Sequence, residues 1–397
     1  MVDRRTQDLT QPDTSRVGPP GIILRALFLA CSWTWCLGMF FPTYMIADFG
    51  VWGWVAFAIP NVVGAGAMGT VLGSVRSSEN MVSRHTPAMR WFSIATVAFH
   101  LYFLSAFFGA IYTGAAGPLI GVAALFTGLL LAAMPLRTWW ATGPAVYIIS
   151  AAAAGLAWLS DGAALTLPPI SGRHGPLELA FTVPVLVFGF ALCPYLDLTF
   201  HRVRRDTPGV AGARAFWIGF IVFFLPLVTL TMHYRDRIGG WITVYIAVQS
   251  AFTIGAHLRE LLIVGVLRRT DEFAPPSARR SALFAAVLLA LAAIPLAGVL
   301  IDQLGLFREA YSWRRLVYEL FMSLYALVFP AYVWIVIIER GLPRSTRLAL
   351  FAAAVVLASP CFWLGYIEQH YIWLIPGVAL PVSLPFLWLL IRGRRAT

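Results

Sequence analysis

His100, Asp197, His201, His257, Glu260 and Glu319 all fall inside apolar runs or at their ends. An ionisable side chain at membrane depth is expensive, so it marks a place where a solute, an ion or a proton is handled. Asp197 and His201 stand one turn apart and share a helix face, which suits a gate or a proton relay. Asp197 has other roles open to it: capping a freed backbone donor, binding a cation, or pairing with a loop arginine such as Arg202. His257, Arg259 and Glu260 fit either a salt-bridged gate or an interfacial anchor. Glu319, one turn before Ser323, can form an opposite gate with Arg314 or Arg315. His100, followed by Tyr102 and Ser105, lies at mid-run, either in a binding surface or as a neutral ring bonded to a neighbouring carbonyl.

The elements that must hold these groups are membrane helices. Of 397 residues, 59% are hydrophobic and 12% charged, and mean hydropathy is +0.78. A soluble domain cannot bury that much apolar surface, whereas repeated runs of about 20 apolar residues span bilayers. The fold class read here is an all-α polytopic membrane protein of about twelve helices. The spans are 22–46, 51–73, 90–112, 117–135, 139–159, 177–199, 213–233, 241–267, 281–301, 315–338, 346–366 and 371–391. Residues 1–21 are polar and rich in Pro and Gly, with no signal-peptide pattern, and read as a disordered cytoplasmic tail. Residues 22–392 read as a single transmembrane domain.

Arginine sets the orientation. The tails and the even-numbered loops carry most of it, including Arg76, Arg84, Arg202, Arg204, Arg205, Arg268, Arg269, Arg344 and Arg347. The opposite loops hold few, among them Arg173, Arg235 and Arg308. The positive-inside rule then places both termini in the cytoplasm and the chain in the inner (cytoplasmic) membrane. The formal charge of +11 comes from arginines scattered between spans, not from a basic domain, so nucleic acid is not a partner. The expected partners are a small-molecule solute and membrane lipid, with the oligomeric state open.

Two spans are built poorly for unbroken helices. Span one contains Gly38 and Pro42, and span six (FGFALCPYLDL) contains Gly189 and Pro194. Proline lacks the N–H that a helix needs and crowds the carbonyl one turn back. In lipid such breaks persist where protein, water or a ligand satisfies the freed groups. The expectation is an interruption between Gly38 and Pro42, and another at Gly189–Pro194. Trp33, Thr34, Cys36, Gly38 and Phe40, with His100 and Tyr102, then form one wall of a solute site. Phe188, Gly189, Cys193 and Tyr195 form the other. Aromatic surface beside free backbone dipoles suits a small organic molecule. A kinked helix with packed aromatics is the alternative.

Five spans separate the two interruptions, an odd number, so the halves would be related by inverted topology, the pattern that points to a transporter site. CSWTWCLGMFFP, GWVAFAIPNVVGAGAMG, FGFALCPYLDLTF and QSAFTIG carry the resemblance. The arrangement resembles the leucine-transporter (LeuT) fold of the amino acid–polyamine–organocation (APC) superfamily, and is loosely similar to sodium:solute symporters. The resemblance implies a 5+5 inverted repeat, with repeat one at about 22–159, repeat two at about 177–338 and extra helices at 346–391. It implies a solute between spans one and six, and Na+ held by span one carbonyls and the span eight hydroxyls Ser250 and Thr253. Those hydroxyls are separated by Ala251 and Phe252, a departure from the adjacent pair common in the fold's sodium-dependent members.

The function expected is therefore secondary active transport of a small organic solute, coupled to Na+ or H+, with no cofactor beyond Na+ as a possible coupling ion and no enzymatic activity. The alternative is a membrane transferase acting on a lipid-linked substrate through Asp197, His201 and Glu260. A soft-metal permease using Cys31, Cys36 and Cys193 lacks a supporting His/Cys tract. Neither a nucleotide-binding motif nor a soluble catalytic insert is present in the sequence.

Overall fold

The computed structural model describes residues 17–111, 116–161, 167–234, 240–266, 290, 293, 297, 313–338 and 341–394. Among them all regular structure is helical. The helices are α1 (Pro19–Trp33), α2 (Cys36–Phe49), α3 (Val51–Val71), α4 (Val75–Ile111), α5 (Ala116–Ala132), α6 (Leu136–Asp161), α7 (Pro176–Leu192) and α8 (Leu198–Asp206). They continue as α9 (Gly209–Tyr234), α10 (Gly240–Leu261), α11 (Leu316–Ile337), α12 (Arg344–Ile367) and α13 (Tyr371–Ile391). Nine described helices are long and apolar enough to cross a membrane, or ten if the bent pair α1–α2 is one span. α5 is a shorter apolar helix at the place expected for span four. Apart from 290, 293 and 297, the expected span 281–301 lies outside the described residues, as do tail residues 1–16. α1 begins at Pro19, ahead of the boundary expected at 22.

The apolar runs dictate the helices, and small residues decide how closely they approach. The face of α3 expected to pack does so. A Cβ at Gly64 would lie 2.2 Å from the Phe190 carbonyl of α7, and one at Gly69 would lie 2.6 Å from Phe216 of α9. Gly50 turns the chain between α2 and α3 at φ +67°, where a side chain is strained. Prolines and wide turns go together: π-helical turns at Ile218–Phe224, Leu324–Val328 and Trp363–Ile367 lie near Pro226, Pro330 and Pro360. α4 is kinked at His85 (φ −120°, ψ 16°), two residues before Pro87.

Burial sorts the helices into a centre and a rim. In α4 and α10, 72% of the most apolar window is buried inside the protein, against 22% in α13. α12 and α13 present Val356, Leu357, Phe386, Leu387, Leu390 and Ile391 outward, the surface that lipid would cover.

Candidate functional site

The first interruption lies earlier than the sequence suggests. α1 and α2 meet at Thr34–Trp35 with a bend of 60°. Gly38 and Pro42 both lie inside α2, so the expected break between them is not there. α2 runs on through Pro42; beside it Tyr234 of α9 donates its hydroxyl proton to the Met39 carbonyl, and Thr43 Oγ1 donates to the Phe40 carbonyl at 2.6 Å. At Thr34–Trp35 the end of α1 is closed by its own side chains. Thr34 Oγ1 donates to Ala30 O at 2.7 Å, and Trp35 Nε1 donates to Ser32 O at 2.6 Å. Thr253 Oγ1 of α10 reaches Cys31 O at 3.4 Å. The start of α2 is capped from α4: the Cys36 N–H donates to His100 Nε2 at 3.2 Å, while His100 Nδ1 contacts Thr96 O at 2.7 Å. Both ring nitrogens are thereby committed, and the ring is neutral with its proton on Nδ1. These bonds answer the helix-end accounting that an apolar surrounding demands.

The second interruption is where Pro194 suggests. α7 ends at Leu192, a tight 3-10 turn covers Cys193–Leu196, and Asp197 turns extended (φ −80°, ψ 111°). Asp197 is the N-cap of α8, its Oδ1 accepting the Thr199 N–H at 2.7 Å. His201 secures the turn, bonding Tyr195 O through Nε2 at 3.0 Å and Ser78 Oγ through Nδ1 at 2.7 Å. Gly189 is a close-approach position: a Cβ there would lie 2.9 Å from the Tyr325 carbonyl of α11.

The interrupted helices lie side by side. Trp33 packs on Phe200 of α8 with ring centroids 4.9 Å apart, and Ser32 Oγ meets Thr199 Oγ1 at 3.4 Å. Between them is an apolar cavity of about 40 Å³ bordered by Trp33, Trp35 and Leu37 on one side and Gly189, Phe190 and Cys193 on the other. α11 completes it with Met322 and Tyr325. That volume holds about three waters, so the site is closed to an organic molecule in this conformation. A second small cavity shares Phe41, Thr182 and Tyr366 with it and reaches Asp48 and Glu319. On the other side of the Asp197 turn, a polar vestibule of about 330 Å³ is lined by Ser78, Glu79, Arg90, His201, Arg202 and Glu260, among others.

Ion pairs stand at both ends. Arg202 grips Glu260 with two parallel bonds, Nε–Oε1 at 3.0 Å and Nη2–Oε2 at 3.1 Å, both side chains nearly inaccessible. This corrects the expected pairing of Asp197 with Arg202: the guanidinium fork faces the α10 carboxylate instead. Arg259 is engaged elsewhere, with the Ala132 and Met134 carbonyls beyond α5 and over the Trp139 ring. At the far end Asp48 pairs with Arg173, which sequence reasoning did not single out. At the end of α8, Asp206 is half-buried near Arg202, Arg205 and Arg25; burial pushes its carboxyl up, and the three arginines pull it back down.

Of the residues expected to bind solute, Trp33, Gly189 and Cys193 border the cavity. Thr34, Cys36 and His100 instead close the first interruption. Gly38 faces Phe224. Phe40 packs on Tyr44, Phe103, Phe107 and Tyr318, and Tyr102 stacks on Phe321. Phe188 joins a separate apolar cluster with Ala331 and Ile335. Tyr195 supplies a carbonyl to His201. Ser250 is fully buried, and its Oγ has no hydrogen bond among the described residues. Glu319 borders the second cavity, and the side chains of its expected partners Arg314 and Arg315 lie outside the described residues. Tyr325 and Trp35 border the cavity without having been singled out, although Trp35 stood within the quoted motif. Both are one aromatic among many in sequence.

No group of three or more His, Cys, Asp or Glu is placed to hold a metal among the described residues. No protein-family model, curated protein or solved structure matches this chain.

Proposed function

We propose that this membrane protein is a secondary transporter for a small organic solute with an apolar or aromatic body, coupled to Na+ or H+. One observation carries the reading: two interrupted helices border the same small apolar cavity, and a larger vestibule lies just beyond one interruption. Alternating access needs such a closed central site, with ion pairs toward each end able to part in turn. Arg202–Glu260 and Asp48–Arg173 fit those gates. Twelve helices, a 5+5 inverted repeat, cytoplasmic termini and an inner-membrane address belong to the same proposal, as does the likeness to the LeuT fold. If Na+ is the coupling ion, the meeting of Thr253 Oγ1 with Cys31 O and the buried Ser250 hydroxyl offer oxygen ligands of the right hardness. The chain is read as non-enzymatic. His201 and Glu260, which a transferase would need free, are both held by hydrogen bonds.

The test is uptake by proteoliposomes over a panel of amino acids, aromatic amines and other small organic solutes, under imposed Na+ or H+ gradients. Accumulation of at least one solute class is expected, with Cys193→Trp, which fills the cavity, reducing it to the level of empty liposomes. Full uptake by Cys193→Trp would remove the cavity from the path.

A further inference from the structure

Behind the vestibule wall two polar atoms face each other without a bond. Asp197 and His257 are both completely buried, and His257 Nε2 lies 3.9 Å from Asp197 Oδ2. Neither atom has a hydrogen bond among the described residues. Such orphans in an apolar interior are costly and call for an explanation. The remaining positions of both side chains are committed. Asp197 Oδ1 caps α8, and His257 Nδ1 contacts Ser93 Oγ at 3.2 Å.

The neighbours leave this pair alone in its charge state. From α4, His100 is held neutral by two hydrogen bonds, and Ser93 is a hydroxyl. From α8, Arg202 is neutralised by Glu260 of α10, with Asp206 beyond. His201 is occupied at both nitrogens. From α11 the nearest titratable group is Tyr325, whose hydroxyl meets Thr96 Oγ1 at 3.0 Å. Trp35 covers His257 edge-on at 5.6 Å between ring centroids.

We propose that Asp197 and His257 together form the binding site for a single coupling proton, so that the transport reading above, on which this rests, becomes H+-driven. Without that proton the pair is a carboxylate beside a neutral imidazole, net charge −1. Ser93 then donates to His257 Nδ1, and the ring's own proton sits on Nε2 toward Asp197 Oδ2. The added proton binds Nδ1, where Ser93 turns from donor to acceptor, the Nε2 proton passes to Oδ2, and the pair becomes a carboxylic acid beside a neutral imidazole, net charge zero. Leu198, next to Asp197, lines the vestibule, so the pair lies just behind that space. Closing the Oδ2–Nε2 gap into a hydrogen bond pulls on the residue that caps α8, and α8 carries the Arg202 half of the Arg202–Glu260 latch. Protonation is thereby tied mechanically to the gate.

Infrared difference spectra across the neutral pH range, recorded on the whole protein in nanodiscs, test the site without any solute. The wild type should show paired carboxylate and imidazole changes that titrate together. Both should vanish in Asp197→Asn, which keeps the cap, and in His257→Gln, which keeps the contact to Ser93. Identical spectra from wild type and variants overturn the proposal. So does a titrating carboxylate signal that survives in His257→Gln, because Asp197 would then act alone. Uptake in the same preparations separates this inference from the transport reading. Titrating bands without uptake of any solute retain the proton site and count against transport. Uptake that follows a Na+ gradient, with no titrating band, retains transport and overturns the proton site.

Discussion

The two interrupted helices solve one problem in different ways. Around Thr34–Trp35 the exposed backbone groups are met by neutral partners: a hydroxyl, an indole and an uncharged imidazole. Around Cys193–Asp197 the cap is an acid, and it leaves Oδ2 facing His257 Nε2 across 3.9 Å. The first is a fixed elbow whose hydrogen bonds do not depend on protonation in the neutral range. The second couples backbone geometry to charge. A membrane helix can thus be broken for shape or for switching, and the identity of the capping group tells which.

The largest expected effect lies beside the switching break. Arg202→Ala strands the Glu260 carboxylate in a dry interior and should lower stability by about 3–5 kcal/mol, seen as a fall in thermal unfolding temperature in nanodiscs. Arg202→Met combined with Glu260→Gln removes both charges and should recover most of that loss. An Arg202→Ala protein as stable as wild type would mean that the pair is solvated and cannot serve as a latch.

The elbow should respond less. His100→Leu orphans the Cys36 N–H and should cost about 1–3 kcal/mol, while His100→Gln, still able to accept, should cost less. The loss should be the same at mildly acidic and mildly alkaline pH. A loss that varies with pH across that range would erase the distinction between the two interruptions.

The glycines offer the finest comparison. A Cβ on Gly189 would stand 2.9 Å from the Tyr325 carbonyl, whereas one on Gly38 meets Phe224 at an ordinary 3.7 Å. Gly189→Ala should therefore destabilise by about 1–3 kcal/mol. Gly38→Ala should be neutral or stabilising, by at most about 1 kcal/mol, because alanine favours a helix. Equal effects in melting experiments would contradict the close approach of α7 to α11.

What the sequence made legible follows from how local each cause is. Apolar runs place the described helices because lipid acts on each run separately. Pro194 marks the second interruption because its effect on the preceding turn is covalent. Pro42 misleads because α2 continues through it, and whether a helix carries a proline or breaks at it depends on packing beyond the local run. The true elbow at Thr34–Trp35 needs His100 from α4 and Thr253 from α10, partners that no local pattern reveals. Arg202 was visible as a charge, but choosing Glu260 over the nearer-in-sequence Asp197 required knowing which carboxylate faces the guanidinium fork. The Asp197–His257 gap is likewise a product of two helices meeting.

Trp35 has an electrical consequence. Its indole is ringed by Trp33, Phe92, His100, His257 and Tyr325, with centroid spacings of 4.5–6.4 Å. This aromatic plug gives a hydrated ion no continuous wet route between the central cavity and the proton site. A bare charge crossing such a region meets a steep desolvation barrier. In the transport reading proposed above, such a plug would act as insulation, limiting leak of the driving gradient when no cargo is aboard.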